Sequence, residues 1–118
     1  MDPRTLGQRG ESQAAWFYRL RGFRIVGRNV RVGRGEIDLI VRRGRLLAFV
    51  EVKTRQSLGA GEGFESVNAA KQRQLIDLAE RYLARHPHPG DVRFDVLSLF
   101  WNGSRFKATH FEDAIRKI

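Results

Sequence analysis

The sequence contains no cysteine, which excludes disulfide bonds and cysteine thiolates acting as nucleophiles or metal ligands. It has no apolar run long enough to cross a bilayer. Its first residues, MDPRTLGQRGES, lack the apolar stretch of a secretion signal. Repeats, linkers and low-complexity tracts are missing as well, so we expect one domain over residues 1–118. A cytoplasmic protein with no membrane partner is the expectation that follows.

Acidic residues are also scarce. The chain has 13 Asp and Glu against 22 Lys and Arg, which gives a net charge of +9. Lysine supplies only 4 of these basic residues, and the other 18 are arginine. Arginine stays charged and binds phosphate through two parallel hydrogen bonds. This composition favours a nucleic-acid partner, although genome bias or thermal adaptation would also enrich arginine.

Hydrophobic periodicity and turn residues predict two helices and five strands in the order αβββαββ. Three strands joined by short turns predict an antiparallel meander. The second helix is long enough to return the fourth strand parallel to the third. We therefore expect an α/β sandwich around a mixed sheet. The predicted elements are a helix at 7–21, strands at 23–30, 36–42 and 46–53, a helix at 67–85, strands at 92–101 and 105–111, and a short helix at 112–118.

The stretch EIDLIVRRGRLLAFVEVK, residues 36–53, reads as a hairpin. A two-residue turn at 43–44 would place Asp38 opposite Phe49 and Glu36 opposite Glu51. Because side chains alternate along a strand, one face of this hairpin would then be wholly apolar. A one-residue slip would bury charged side chains, so the face assignment is strongly specified. The expected apolar face consists of Ile37, Leu39, Val41, Leu46, Ala48, Val50 and Val52.

The other face of the hairpin would carry Glu36, Asp38, Glu51 and Lys53 together at the end away from the turn. Carboxylates held close together repel each other, and a cation removes that repulsion. Mg²⁺, or Mn²⁺ in its place, prefers one or two carboxylates plus water and phosphate oxygens. We expect Asp38 and Glu51 to be ligands, with the Val52 carbonyl as a possible third.

Lys53 would lie one pleat beyond Glu51, on the same face. There it could orient or deprotonate a water, or stabilise charge on a pentavalent phosphate. Glu11 lies on the predicted inward side of the first helix and is a further candidate for the site, with helix capping or simple exposure as the alternative. A cross-strand cluster of salt bridges is the non-catalytic interpretation of the whole group.

Several stretches of the chain resemble the small bacterial YraN-like family, which is similar to the archaeal Holliday-junction resolvases. Both resemble the restriction-endonuclease-like nucleases, whose signature is D…(D/E)-x-K. The spacing of Asp38, Glu51 and Lys53 matches that signature, and the resemblance covers nearly the whole chain. The stretches that carry it are GEIDLI (35–40), FVEVKTR (49–55), RN-x-R (28–31), AAKQRQL (69–75) and RFDV (93–96).

The resemblance implies a restriction-endonuclease-like fold with metal ligands at Asp38 and Glu51. It implies that Lys53 is the catalytic lysine and that Glu11 is the glutamate of the N-terminal helix. Ile37 departs from the nuclease pattern, in which proline often precedes the aspartate. Glu36 is an added acid that the YraN-like pattern shares, and it could pair with Arg55 or Lys53.

Basic residues near the acidic end of the hairpin are the candidates for phosphate contacts. These are Arg31, Arg34 and Arg55, together with Lys71 at the start of the second helix. Gln72, beside Lys71, is expected to support the site indirectly, as is Glu36. The loop at 54–66 could admit DNA or shield the metal, or could be a plain connection.

Other side chains receive structural interpretations. His86, His88 and His110 are not expected to bind metal, because HPHPG is typical of a loop and no carboxylate accompanies it. Trp16 and Trp101 are expected in the core rather than as platforms for stacked bases.

Three functions remain open at this point. The first is a Mg²⁺-dependent endonuclease that hydrolyses DNA, with branched or otherwise structured DNA as the substrate that the resolvase resemblance implies. The second is a non-catalytic nucleic-acid-binding module on the same fold. The third is a small scaffold for an acidic protein. Action on two strands would suit a homodimer.

Overall fold

Two helices lie against one five-stranded sheet in the computed structural model, which describes residues 1–56 and 68–115. The mixed α/β class expected from the sequence is confirmed. Neither helix in these ranges is long and apolar enough to span a membrane. The elements are α1 (Pro3–Arg19), β1 (Arg24–Val32), β2 (Gly35–Arg43), β3 (Leu46–Arg55), α2 (Ala69–Arg85), β4 (Asp91–Trp101) and β5 (Phe106–Phe111).

Helix α1 begins earlier than predicted because its first turn is capped. The Asp2 carboxylate accepts a hydrogen bond from the Thr5 amide at 3.0 Å, and Pro3 occupies the first turn, where its missing N–H costs nothing. The helix ends at Arg19, and Gly22 follows with a φ of +85°. Glycine adopts that conformation without a Cβ clash, so the chain can turn directly into β1.

The strands are arranged in sequence order from β1 to β5. β1, β2 and β3 form an antiparallel meander, β4 runs parallel to β3 after the α2 crossover, and β5 pairs antiparallel with β4. Each face of the sheet buries a separate apolar cluster, one under each helix. The α1 cluster includes Tyr18, Leu39, Val41, Ala48, Val50, Leu97 and Leu99, and the α2 cluster includes Ile37, Ile40, Leu47, Phe49, Leu75, Leu78, Ala79 and Val96.

The predicted register of the β2–β3 hairpin is wrong by two residues. Arg43 pairs with Leu46 and Ile40 with Phe49, so the turn is at 44–45 and not at 43–44. Gly44 takes a φ of +60° there, as a tight hairpin turn requires. A shift of two residues keeps each side chain on its face, because the side-chain period is two. It moves Asp38 from opposite Phe49 to the level of Glu51.

The alternation along β2 breaks at Asp38. Leu39 packs under α1 as predicted, but Ile37 packs in the cluster under α2, which corrects its assignment to the opposite face. On β1, Asn29 lies across from this point with a φ of +49°, and the chain has a second irregularity between Ile25 and Gly27. The described β2–β3 pairs also end at Leu39 and Val50. The two strands therefore separate where the acidic side chains begin.

Two further predictions concern the C-terminal helix and the loop at 54–66. The expected helix at 112–118 is not helical over 112–115, where Glu112 and Asp113 form a turn and the amides of Ala114 and Ile115 face the Phe94 carbonyl. Asp113 has a φ of +53°, which ends regular structure there. Residues 116–118 lie outside the described residues, as do 57–67, which contain most of the predicted loop.

Candidate active site

The point where β2 and β3 separate brings Asp38 and Glu51 together. The Val52 amide donates a hydrogen bond to Asp38 Oδ2 at 2.9 Å, so the carboxylate occupies the position of a missing backbone acceptor. The Asp38 and Glu51 side chains lie close enough for their carboxyl groups to interact. Both residues are half-buried. The loss of ladder bonds thus creates a small acidic pocket between two strands of an otherwise apolar sheet.

The pKa of Asp38 is raised to about 8. Burial is the largest cause, and the hydrogen bond and charge of Glu51 add to it. The Val52 amide and the charge of Lys53 act in the opposite direction without overcoming these effects. With a pKa of about 8, Asp38 is mostly protonated near neutral pH when no cation is bound.

Lys53 lies beside the two acids and meets a second lysine. Burial lowers the pKa of Lys53, and close approach of Lys71 lowers it further, while Glu51 and Asp38 partly oppose the change. Lys71 reaches this position from the first turn of α2, where the Asn68 side chain caps its amide at 3.0 Å. The helix N-terminus thus brings a positive group to the acidic pocket.

Val52 has the orientation that a metal ligand here would need. In an extended strand the N–H and C=O of one residue point to the same side. Because the Val52 amide faces Asp38, its carbonyl is directed to the same gap between β2 and β3. The set of two carboxylates and one carbonyl suits a hard divalent cation that keeps part of its water shell.

The other two acids proposed for the site are not brought into it. Glu11 lies half-buried on α1, next to Gly10, which packs on Thr54 on the opposite face of the sheet. Glu36 is exposed and faces Arg31 at 3.8 Å, rather than Arg55 or Lys53. Across residues 1–56 and 68–115, no group of three acidic or histidine side chains could hold a metal. Within these ranges, the carboxylates that meet at the pocket are those of Asp38 and Glu51.

Two adjoining grooves beside α2 are lined in part by arginines. One, of about 460 Å³, lies between Arg34 and the helix residues Arg73 and Arg81. The other, of about 590 Å³, lies between Arg31 and the helix residues Arg81 and Arg85. Arg31 and Arg34 thus lie on one basic surface, and Arg73, Arg81 and Arg85 are members that sequence reasoning missed. Their spacing of four or eight residues, which places side chains on one helix face, was the available signal.

The remaining basic candidates have more restricted positions. Arg55 is half-buried at the end of β3, level with Phe100 of β4, and Gln72 is half-buried in the first turn of α2. The arginines of the β2–β3 turn are bound to backbone carbonyls instead. Arg42 donates to Gly44, Arg43 to Arg21, and Arg45 to Pro89, at 2.9 to 3.0 Å.

A buried polar cluster around Asp95 lies on the α1 face of the sheet. Asp95 is fully buried, and Tyr18, His110 and Arg93 donate or share hydrogen bonds with its carboxylate at 2.8 to 2.9 Å. Burial alone would raise the pKa of Asp95, but these bonds and that of the Asp113 amide outweigh it and lower the pKa. Every carboxylate oxygen is satisfied, which makes this cluster a structural brace between α1, β4 and β5.

The remaining histidines and the two tryptophans complete the sequence candidates. His86 stacks on Tyr82 at 4.4 Å, and His88 contacts the Arg45 carbonyl at 2.7 Å. Trp16 is 56% exposed, so its assignment to the core is wrong. It lies on the outer side of α1, between residues whose side chains are buried. Trp101 is half-buried at the end of β4.

Comparisons with known proteins place the chain in a family. Residues 10–99 match the model described as "Uncharacterised protein family UPF0102". A UPF0102 protein of Symbiobacterium thermophilum is 50% identical over 97 residues, covering 81% of this chain and 82% of its own. One from Syntrophotalea carbinolica is 42% identical over 111 residues, covering 93% and 90%.

Among solved structures, the Pyrococcus furiosus SfsA protein in complex with Ca²⁺ aligns at a TM-score of 0.44 and 21% identity. The alignment covers 94% of this chain and 64% of that chain, a likeness too weak to carry an argument. The family expected from GEIDLI and EVKTR is confirmed by the family model and by the relatives. The chain belongs to the UPF0102 family.

Proposed function

We propose that this protein is a metal-dependent endonuclease that hydrolyses DNA phosphodiester bonds on a restriction-endonuclease-like fold. The observation that carries the proposal is the pairing of Asp38 and Glu51 at the separation of β2 and β3, with Lys53 beside them. A half-buried carboxyl group with a raised pKa beside a second carboxyl group is costly to the fold and is typical of functional sites. A salt-bridge cluster would instead show both acids matched by cations.

Asp38, Glu51 and the Val52 carbonyl would hold Mg²⁺ or Mn²⁺. A bound divalent cation supplies Lewis-acid polarisation of a phosphate oxygen and neutralises charge that develops in the reaction. The Val52 amide fixes the Asp38 carboxylate in place by its 2.9 Å hydrogen bond, so the ligand needs little reorganisation. The chain's own contribution is a preorganised acidic pocket.

Lys53 would act on the attacking water or on the phosphate. Its lowered pKa increases the neutral fraction, which can accept the proton as the water oxygen bonds to phosphorus. Its ammonium form can instead donate to the charged phosphate oxygens. The phosphorus–oxygen bond of the leaving group then breaks, and the leaving oxygen takes a proton. The products are a phosphomonoester end and a hydroxyl end.

The basic surface supports DNA as the substrate. Lys71 lies at the acidic pocket, and Arg34, Arg73 and Arg81 continue away from it along α2. Phosphate contacts of this kind fix the position of a duplex without reading its sequence. Preference for branched or structured DNA follows from the resolvase resemblance, and cleavage of two strands would suit a homodimer.

The test is a cleavage panel of single-stranded, duplex, flap and four-way DNA with Mg²⁺ or Mn²⁺. Asp38→Asn and Glu51→Gln should each lower the rate about a hundredfold or more, the scale expected for losing one group that stabilises transition-state charge. Asp91→Asn, which changes an exposed acid at the start of β4, is the matched control and should leave the rate unchanged. Cooperative thermal unfolding and an unchanged far-UV circular dichroism spectrum show that the variants retain the fold.

Metal-dependent cleavage that persists in both Asp38→Asn and Glu51→Gln would refute the assignment. A non-catalytic nucleic-acid-binding module is the second candidate, because the described residues bring only two carboxylates together and a third acid would strengthen a metal centre. Retarded DNA mobility without cleavage of any substrate in either metal would select that alternative.

A further inference from the structure

An open groove of about 630 Å³ separates α1 from the β4–β5 hairpin. Trp16 lines it from the helix, and Trp101 and Phe106 line it from the hairpin. Arg9 and Arg105 lie at its edges. The groove lies away from the grooves beside α2, on the face of the sheet that α1 covers. It is therefore a second aromatic and basic surface that the acidic pocket does not use.

The aromatic side chains of the groove are arranged as a platform rather than as core. Trp16 is 56% exposed although its neighbours Ala15 and Phe17 are buried, so the helix presents it to solvent. Trp101 packs on Phe106 with ring centroids 5.1 Å apart, which holds the indole against the hairpin. Arg19 lies 5.5 Å from the centre of the Trp16 ring and adds positive charge beside it. An exposed indole on a rigid helix carries a cost in water that binding would remove.

The position of the groove relative to the acidic pocket is set by strand register. Lys53 pairs with Ser98 of β4, and Trp101 lies three residues further along the same strand. Three residues of extended chain span about 10 Å. The groove is thus just beyond the pocket at the same end of the sheet, but toward the α1 face. A strand that left a duplex at the pocket could reach it within a few nucleotides.

The charge of the groove favours a single-stranded nucleic acid over a second copy of this chain as its occupant. The described residues that line it include Arg9 and Arg105 and no carboxylate. A second copy of this chain, with a net charge of +9, would bring arginine against arginine. A single-stranded nucleic acid matches the groove in both respects, because aromatic rings stack on bases and arginines neutralise phosphates.

We propose that this groove binds unpaired bases of a single-stranded DNA segment, with Trp16 and Trp101 as the stacking residues. The inference rests on the proposed function only for the choice of DNA over other polyanions. It goes beyond that function by giving the protein a binding site for the unpaired part of a branched substrate. Cleavage at the acidic pocket and stacking in the groove are separate events on separate faces.

Trp16 and Trp101 are the only two tryptophans in the sequence, so intrinsic fluorescence reports on this groove directly. We expect a single-stranded oligothymidylate of about twelve nucleotides, within the span that single-strand sites cover, to quench the fluorescence in EDTA, where no cleavage occurs. Trp16→Ala should weaken its binding about tenfold, the effect of losing one base–aromatic stack. Affinity for a blunt duplex of the same length should stay nearly the same. Leu20→Ala, which truncates another exposed side chain at the end of α1, is the matched control.

Because Trp16 is exposed, its substitution is expected to leave the melting temperature unchanged, and Trp101→Phe provides a second, conservative variant. Equal affinity of wild type and Trp16→Ala for the oligothymidylate overturns the proposal. So does sedimentation showing a dimer in wild type that Trp16→Ala dissociates, since the groove is then an interface between copies. Binding is measured without metal, so loss of the stacking effect and loss of nuclease activity are independent results.

Discussion

At the residue scale, two aspartates, the fully buried Asp95 and the half-buried Asp38, have opposite electrostatics. Asp95 has a lowered pKa because four donors surround its carboxylate and outweigh its burial. Asp38 has a raised pKa because burial and Glu51 outweigh the single Val52 amide and Lys53. The first arrangement stabilises the charged form and braces the fold. The second penalises the charged form, and a cation is the natural compensation.

The raised pKa of Asp38 predicts how the stability of the protein changes with pH in EDTA, where no divalent cation is bound. Between the unfolded pKa of 3.8 and the folded value of about 8, the folded state binds more protons than the unfolded state. The free energy of unfolding should therefore fall as the pH rises through this window. Asp38→Asn removes this pH dependence. Relative to wild type, its free energy of unfolding should rise by about 1–3 kcal/mol as the pH rises from about 5 to about 8. Urea unfolding at several pH values measures the difference.

Mg²⁺ should reverse that trend in the wild type. Binding to the folded state alone raises the free energy of unfolding, and this gain should grow toward pH ~8 as Asp38 loses its proton. Asp38→Asn should show little gain from Mg²⁺, and Asp91→Asn should behave as wild type. Parallel pH profiles for wild type and Asp38→Asn in EDTA would contradict the raised pKa of Asp38.

At the scale of the elements, the packing of α1 on the sheet depends on one glycine. A Cβ at Gly10 would overlap the Oγ1 and Cγ2 atoms of the Thr54 side chain on β3. The helix therefore packs closely on the Thr54 side chain of the strand that carries Glu51 and Lys53. At Gly7, one turn earlier in the same helix, a Cβ would meet nothing within 4 Å.

The two glycines give a matched pair of variants. Gly10→Ala should lower the free energy of unfolding by about 1–3 kcal/mol, because overpacking forces α1 away from β3. Gly7→Ala should raise it by up to about 1 kcal/mol, since alanine favours the helix and meets no neighbour. Adding Thr54→Ala to Gly10→Ala should recover part of the loss. Equal effects of the two single substitutions would show that the close approach is unimportant.

At the scale of the whole molecule, the arginines fall into two groups that differ in what their side chains contact. The turn arginines at 42, 43 and 45 are bound to backbone carbonyls, whereas those beside α2 line open grooves. Only the second group is available to phosphates without breaking the fold. Net charge alone, which suggested a polyanionic partner, contains no information about this division.

The salt dependence of DNA binding tests whether the arginines beside α2, rather than those of the β2–β3 turn, contact phosphates. Each phosphate contact releases counterions and contributes about 0.9 to the slope of log affinity against log salt concentration on duplex DNA. Arg34→Gln combined with Arg73→Gln should lower that slope by nearly two. Arg42→Gln, in which the lost side chain serves the turn, should leave the slope unchanged. If the double variant keeps the wild-type slope, the DNA-binding surface does not include Arg34 and Arg73.

The sequence determined the elements and the chemistry of the site. Alternating apolar residues predicted each strand, Gly22 and HPHPG ended the helices, and the Asp38, Glu51 and Lys53 spacing identified the acidic pocket, because these signals act within a few residues of chain. The tertiary structure decided which acids meet. Glu11 and Glu36 remain outside the pocket because the two-residue register shift, the break at Asp38 and the α1 face are set by packing between distant segments. The sequence predicts Trp16 in the core, but the packing of α1 against the sheet places it on the outer side of the helix, where it stays 56% exposed.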